Sequence, residues 1–429
     1  MRVGMTLDWH MNATSLVNLT KNMFRELGLI SIEKKSFVIA GIKVNSIGIG
    51  DVNQHYSLIH IPNMGGYRFP KLNVLQSKNL LLSPSGIDEV ILGQEVFKNE
   101  QDWKHSEPII LEEIKKWKKY GKQLKAIHVV TESEKQDMMK FFEIPEEKFH
   151  IIPHGVDHDI FKPPKDKYKI RKSILSSLFL KDFPFFIHVS ESNWSRKNLI
   201  NILKAYEKAK YTGLKHNLII VGKNDPIIYD MAKHIPGVIV LGFVSEQNLV
   251  DLLGTADAII LPSKHEGFGL PLLEAMSCGT PSITSNVFSP PLVVQESGIL
   301  VDPYNVDRIA EKMILLGKDE NLRNYLAKKA HQLSLNYSWK KTAAKLYDLY
   351  CEVTDNIYSD FEKELDICAY RTITTICEIN PDLKAKTTND LLKFDYSKII
   401  NWCLESGLQD PRVKDFLIPY KGWLENNSK

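Results

Sequence analysis

Two carboxylates, Glu266 and Glu274, stand eight residues apart in the run Glu266-Gly-Phe-Gly-Leu-Pro-Leu-Leu-Glu274. Gly267 and Gly269 let the backbone turn tightly between them. Just upstream, Asp257-Ala-Ile-Ile-Leu-Pro-Ser263 reads as a buried parallel strand, and Leu270 to Cys278 reads as a short helix. The first carboxylate therefore belongs on a strand-to-helix loop and the second lies a turn or more inside the helix. A helix start aims its free N–H groups at whatever fills the adjoining crevice, which makes it an anion site. A basic pair, Arg196-Lys197, follows the strand-like Phe185-Phe-Ile-His-Val-Ser190 and opens the next helix, with Ser195 as its expected N-cap. Cations are unfavourable at a helix start unless an anion joins them, so this pair also points to an anionic ligand.

These groups need a scaffold, and the chain has the length for one. Its 429 residues exceed what one ordinary core organises, so two domains plus an appendage are expected. Hydrophobic content of 43% and charged content of 25% are those of a globular protein, and a net charge of +3 gives no argument for nucleic acid. No apolar run approaches the ~18 residues of a spanning helix, and Met1–Asp8 reads as a first strand with no signal-peptide core. A cytoplasmic location is the default expectation. The five cysteines show no C-x2-C spacing and read as reduced thiols, without a zinc site or disulfide framework.

Strand-like and helix-like segments alternate, the pattern of parallel α/β layers. In the first half, strands are expected at Arg2–Leu7, Ser36–Ala40, Tyr56–Ile61, Asn79–Leu82 and Ala126–Thr131. Helices are expected at Thr14–Leu27, Pro108–Tyr120 and Glu132–Phe142, with Pro108 at a first helical position. Phe161-Lys-Pro-Pro-Lys-Asp has linker composition, and the pattern then restarts. Strands are expected at Phe185–Val189, Leu218–Val221, Val238–Leu241, Ala258–Leu261, Ser282–Thr284 and Gly298–Val301. Two doubly wound domains, joined near residues 160–182, would bind ligand beyond the carboxyl ends of their strands.

The run EGFGLPLLEAMSCGTP, from Glu266 on, resembles the E-x7-E signature of retaining glycosyltransferases of family 4. Similarity extends over about residues 120 to 352: His154-Gly-Val-Asp157 resembles the family's interdomain passage, and Tyr337-Ser-Trp339 its final crossover helix. The resemblance implies a GT-B architecture: a Rossmann-like acceptor domain over 1–160, a Rossmann-like nucleotide-sugar domain over 161–335, and a crossover helix over 336–354. A helical extension at 355–429, unmatched in the family, completes the chain. It further implies transfer of a hexose, of mannose or glucose type, from a nucleotide diphosphate sugar to a hydroxyl acceptor on a glycan or lipid-linked sugar. Configuration would be retained and no metal would be obligatory.

On that resemblance, Glu266 faces the sugar and Glu274 takes the ribose hydroxyls. Arg196 and Lys197 take the diphosphate, together with backbone amides over Gly267, Phe268, Gly269 and Leu270 and the helix start at Pro271. The base falls near Phe243 and Val244. Two Glu at one loop–helix junction do not resemble a glycosidase pair, whose carboxylates flank the scissile bond. The chain also departs from the family. Ser190-Glu191 stands where Gly-Arg is frequent, and Leu80–Gly86 lacks the His found near the sugar in many relatives. Ser83, Ser85 and Asp88 are the candidate substitutes for acceptor contact. His60 reads as packed on the sheet, and Asp157-His-Asp159 as a chance D-x-D in the passage.

Lys115, Lys116, Lys118, Lys119, Lys122 and Lys125 crowd beside an Ile110/Ile114/Trp117 face. Such a segment is either a solvated helix or a peripheral contact at the inner face of a membrane. Two other readings remain open. One is a phosphorylase or epimerase on the same fold. The other is a non-catalytic nucleotide-sugar-binding or scaffold protein that recruits a partner through its helical tail.

Overall fold

The computed structural model describes residues 2–6, 36–39, 42–47, 58–65, 67–70, 80–190, 195–222 and 225–353; for residues 2–47, 62–65 and 85 it describes the backbone alone. The expected helix at 14–27 and the extension at 355–429 lie outside the described residues.

Two sheets organise the chain. The first holds β1 (Arg2–Thr6), β2 (Ser36–Ile39), β3 (Ile42–Ile47), β4 (Leu58–Gly65), β5 (Leu80–Ser85), β6 (Ala126–Val129) and β7 (Phe149–Ile151). Their order is β2-β3-β1-β4-β5-β6-β7, parallel except for the antiparallel pair β2/β3. The second sheet holds β8 (Phe185–Ser190), β9 (Asn217–Gly222), β10 (Val238–Gly242), β11 (Ala258–Leu261), β12 (Ser282–Ser285) and β13 (Gly298–Val301). Its order, β10-β9-β8-β11-β12-β13, is parallel throughout. All these strands fall on expected segments except β3 and β7.

Three local expectations need correction. The helix expected from Pro108 runs from Glu100 to Tyr120. Asn99 caps it, accepting from Asp102 N at 2.8 Å, and Pro108 lies in the interior. Pro108 is on the exposed side, where water can take the carbonyl that a proline leaves unbonded. The stretch expected to join the domains, residues 160–182, is not all linker: after the Phe161–Asp166 run comes a helix, Lys167–Ser177, capped by Asp166 and buried through Ile174 and Leu175. Ser195 caps nothing: the helix after β8 is Leu199–Tyr211 with Asn198 at its N-cap, and the Ser195 hydroxyl donates to the Glu95 carbonyl of the first lobe.

The apolar face of the Glu100–Tyr120 helix is turned inward. Trp117 stacks on Phe142 with ring centroids 5.0 Å apart, and its indole N–H donates to Tyr67 O at 2.8 Å. Lys115, Lys116 and Lys118 pair with Glu112, Glu113 and Glu143. The Ile110/Trp117 face thus belongs to the lobe's own core, and the lysines lie on its outer side.

The last described helix, Trp339–Val353, returns to the first lobe. Thr342 Oγ1 donates to Pro153 O at 2.8 Å, and Val156 bridges Ser338. Between them Gly155 approaches this helix so closely that a Cβ would stand 2.1 Å from Trp339 N and 2.2 Å from Ser338 C. Both are backbone atoms and cannot swing aside. We expect Gly155→Ala to lose about 3 kcal/mol or more of stability, read as a drop in Tm with no gain at any pH. A Tm unchanged within a degree would contradict this close packing.

Candidate active site

The second sheet reverses its winding between β8 and β11: the chain leaves β8 toward β9 and β10, then crosses to β11 on the other side. Such a switch point opens a crevice at the carboxyl ends of the two strands. The loops after β8 and β11 flank it, and they carry Arg196-Lys197 and Glu266.

These loops are knitted together before any charge is counted. Lys264 N donates to Arg196 O at 2.8 Å, and the Asn198 amide donates to Pro262 O at 2.9 Å and Pro303 O at 2.6 Å. Asn198 sits at φ +64°, a left-handed conformation that Asn tolerates better than most residues. This turn directs Lys197 inward. Its Nζ lies 2.6 Å from Glu266 Oε1, which also accepts from Ser263 Oγ at 2.6 Å. Arg196 Nη1 lies 3.2 Å from Glu266 Oε2 and donates to His265 O at 3.0 Å. Lys197 and Glu266 are 7% and 5% exposed, so the pair is sheltered from water. Burial alone would raise the Glu266 carboxyl, but Lys197 and Arg196 outweigh it and hold it at about 2. Burial lowers the Lys197 ammonium against the pull of Glu266.

The first lobe completes the cluster. Asp88, in the short helix Asp88–Leu92, lies 2.8 Å from Arg196 Nε and 2.6 Å from His265 Nδ1. On its other side His265 Nε2 is 3.8 Å from Asp137. Burial pulls the His265 imidazole down, yet Asp137 and Asp88 lift it to about 9, so it is an imidazolium at neutral pH. Gly267 also meets the first lobe: its carbonyl accepts from Thr131 Oγ1 at 3.2 Å and from Ser289 Oγ at 2.6 Å. Thr131 caps the helix Glu132–Phe142. The buried Glu134 of that helix accepts from Gly86 N at 3.0 Å and Val130 N at 2.8 Å.

Glu274 is in the helix Leu270–Ser277, whose N-cap Gly269 has φ +94°. From His265 to Cys278 only Gly267, Leu270, Pro271 and Glu274 keep partial exposure. Their spacing of three to four residues aligns them on one face, from the loop into the helix. The Phe268 side chain is instead buried in the core, edge-on to His154 at 5.2 Å, so only its backbone faces the crevice. Phe243, beyond β10, is 66% exposed, and Val244 packs partly against the core.

The acceptor candidates fare unequally. Asp88 is engaged by Arg196 and His265 as an interlobe ion pair, not as a free acceptor contact. The side chain of Ser85 lies outside the described residues. Ser83 does not present its hydroxyl to an acceptor: it is 7% exposed and the hydroxyl is held between His60 Nε2 and His128 Nδ1, each at 2.8 Å. His128 Nε2 faces the Ile152 carbonyl at 2.8 Å and must carry the proton. The chain of donors is then fixed: Tyr350 O–H to His60 Nδ1 at 2.6 Å, His60 to Ser83, Ser83 to His128, His128 to Ile152. This relay seats the return helix on β4–β6. In the interlobe passage, His158 of the D-x-D sequence bonds Ser277 and Tyr337 O.

Sequence reasoning missed the turn made by Asn198, the residues Ser263, His265 and Asp137, and the interlobe use of Asp88. His265, immediately before Glu266, was the visible signal. Its aspartate partners lie 177 and 128 positions away along the chain and gave none.

Residues 170–333, within the second lobe, match the sequence family described as "Glycosyl transferases group 1". A stretch of 162 residues is 32% identical to the O-antigen chain mannosyltransferase B of Escherichia coli, covering 36% of this chain and 42% of that protein. The chain thus spans less than half of that curated relative. The fold is GT-B. It resembles sucrose-phosphate synthase from Thermosynechococcus elongatus (TM-score 0.60, 16% identity, 83% of this chain and 99% of that one). It also resembles Anabaena Alr3699/HepE in complex with UDP-glucose (TM-score 0.62, 13% identity, 82% and 100%).

Four buried histidines set the response to acid. Burial lowers His128 and His188 to about 4 and His154 to about 3, and holds His60 well below its ordinary value. Each stays neutral when folded and binds a proton near pH 6.5 when unfolded, so their contribution to stability is full above pH 6.5 and is lost as pH drops toward 4; together they outweigh the opposite contribution of Glu134, whose carboxyl burial pushes up to about 7. We expect the denaturant midpoint to decline steadily from pH 7 to pH 4.5. A flat profile would show that these rings are not held neutral.

Proposed function

We propose that this chain transfers a hexose, of mannose or glucose type, from a nucleotide diphosphate sugar to a hydroxyl of a glycan or lipid-linked acceptor. The observation that carries the reading is the convergence of Arg196, Lys197 and Glu266 at the β8/β11 switch point, beside the accessible face that ends in Glu274. As the anomeric C–O bond breaks, its electron pair moves onto the diphosphate and positive charge grows on the sugar ring. Fixed charges placed before the reaction stabilise such a transition state without reorganising. Arg196, Lys197 and the N–H groups around Gly269 are the candidates for the diphosphate side. Glu266 is the candidate for the sugar, and Glu274 for the ribose hydroxyls.

With cationic side chains in that role, no metal would be obligatory. Retention of configuration is the outcome that the E-x7-E resemblance implies: the acceptor hydroxyl enters on the face the diphosphate leaves, and its proton passes to the departing phosphate oxygen. The acceptor would enter from the first lobe.

A thermal-shift screen with UDP-, GDP- and ADP-sugars tests the donor, since a ligand of the folded state raises Tm by mass action. Lys197→Ala should then lower kcat about 100- to 1000-fold. Glu274→Ala should weaken donor binding about 10- to 100-fold, the worth of a charge-assisted hydrogen bond or two. Stabilisation by no nucleotide sugar, or full turnover by Lys197→Ala, would refute the assignment.

A further inference from the structure

Resting on that reading, we infer that Glu266 discriminates the intact donor from the spent nucleoside diphosphate: its carboxylate is a resident counter-anion that a diphosphate must displace from Lys197. The cluster leaves no cation free. Oε1 of Glu266 takes Lys197 at 2.6 Å and Ser263 at 2.6 Å, while Oε2 takes Arg196 at 3.2 Å. Arg196 is further held by Asp88 at 2.8 Å, and Asp88 and Asp137 flank His265. Three cations, Arg196, Lys197 and His265, thus face three carboxylates, Glu266, Asp88 and Asp137. Lys197 is 7% exposed and turned to Glu266, so an arriving diphosphate competes with this carboxylate for the ammonium.

The displaced carboxylate then decides between ligands. It stands at a buried position, where an unpaired charge is costly and must find donors. A sugar still attached to the diphosphate presents hydroxyls, which donate to it. A bare nucleoside diphosphate presents only acceptor oxygens on that side, which repel it. The opening of the Glu266–Lys197 pair is therefore offset by the donor substrate and left uncompensated by the product. Glu266 favours loading of the sugar-bearing nucleotide and expulsion of the nucleotide after transfer.

Calorimetric titration of the full chain with UDP, GDP, UDP-glucose and GDP-mannose tests this, comparing wild type with Glu266→Gln. The glutamine keeps the shape but not the charge, and leaves Lys197 without its resident anion. The bare diphosphate of whichever base the wild type accepts should bind Glu266→Gln about tenfold or more tightly than wild type, the scale of a lost charge-assisted contact. The preference for the sugar-bearing form should shrink or reverse. Equal or weaker binding of the bare diphosphate by the variant would overturn the inference while leaving the donor site standing. Failure of the wild type to bind any of the four ligands would instead remove the donor-site reading itself. Should Glu266→Gln not fold, Ser263→Ala carries the test, since it removes one of the three grips on the carboxylate. Tighter bare-diphosphate binding supports the inference, and unchanged or weaker binding overturns it.

Discussion

The site depends on one carboxylate, that of Glu266, being buried between an ammonium and a guanidinium at the point where the second sheet reverses its winding. Taking three charged groups out of water is expensive, and their attraction repays it only when geometry is close and remaining valences are filled. Here they are filled. Ser263 donates to the carboxylate, and Arg196 divides its donors among Glu266, Asp88 and the His265 carbonyl. The arrangement resembles a phosphate site that has supplied its own anion.

The same charges join the lobes. Asp88 holds Arg196 and His265 across the seam, and further out Lys264 and Tyr304 reach Glu95 at 2.9 Å and 3.0 Å while Lys98 reaches Asp225 at 2.8 Å. These outer pairs are largely exposed and weak individually. The inner ones are sheltered and directional. An anionic ligand that draws on Arg196 would therefore compete with Asp88 for the same guanidinium.

The second lobe was largely legible in the sequence because its signals are local. Ala258–Leu261 and Gly298–Val301 are short apolar runs bounded by Gly, Pro or Asp and have the expected bounds; in the first lobe Glu132–Phe142, capped by Thr131, does so too. The clustering of Arg196, Lys197 and Glu266 followed from strand order, which the motif implied. Errors arose where a better-placed cap or a nonlocal contact outweighed the first local signal. Pro108 looked like a helix start, yet Asn99 offered a better cap nine residues earlier. Ser195 looked like an N-cap, but Asn198 adopts the left-handed turn and leaves the serine to Glu95. Ser83 lay in the stretch where an acceptor contact was sought. Its role emerged only once β4, β5, β6 and the return helix were brought together, since its partners lie 23 and 45 residues away.

The most direct test is a crystal structure with an intact nucleotide sugar bound. The account predicts a pyrophosphate within hydrogen-bond distance of Lys197, Arg196 and the N–H groups of residues 267–270, with the ribose on Glu274 and the Glu266 carboxylate turned from Lys197 to the sugar. A nucleotide sugar bound elsewhere, with the Glu266–Lys197–Arg196 contacts unbroken, would contradict it.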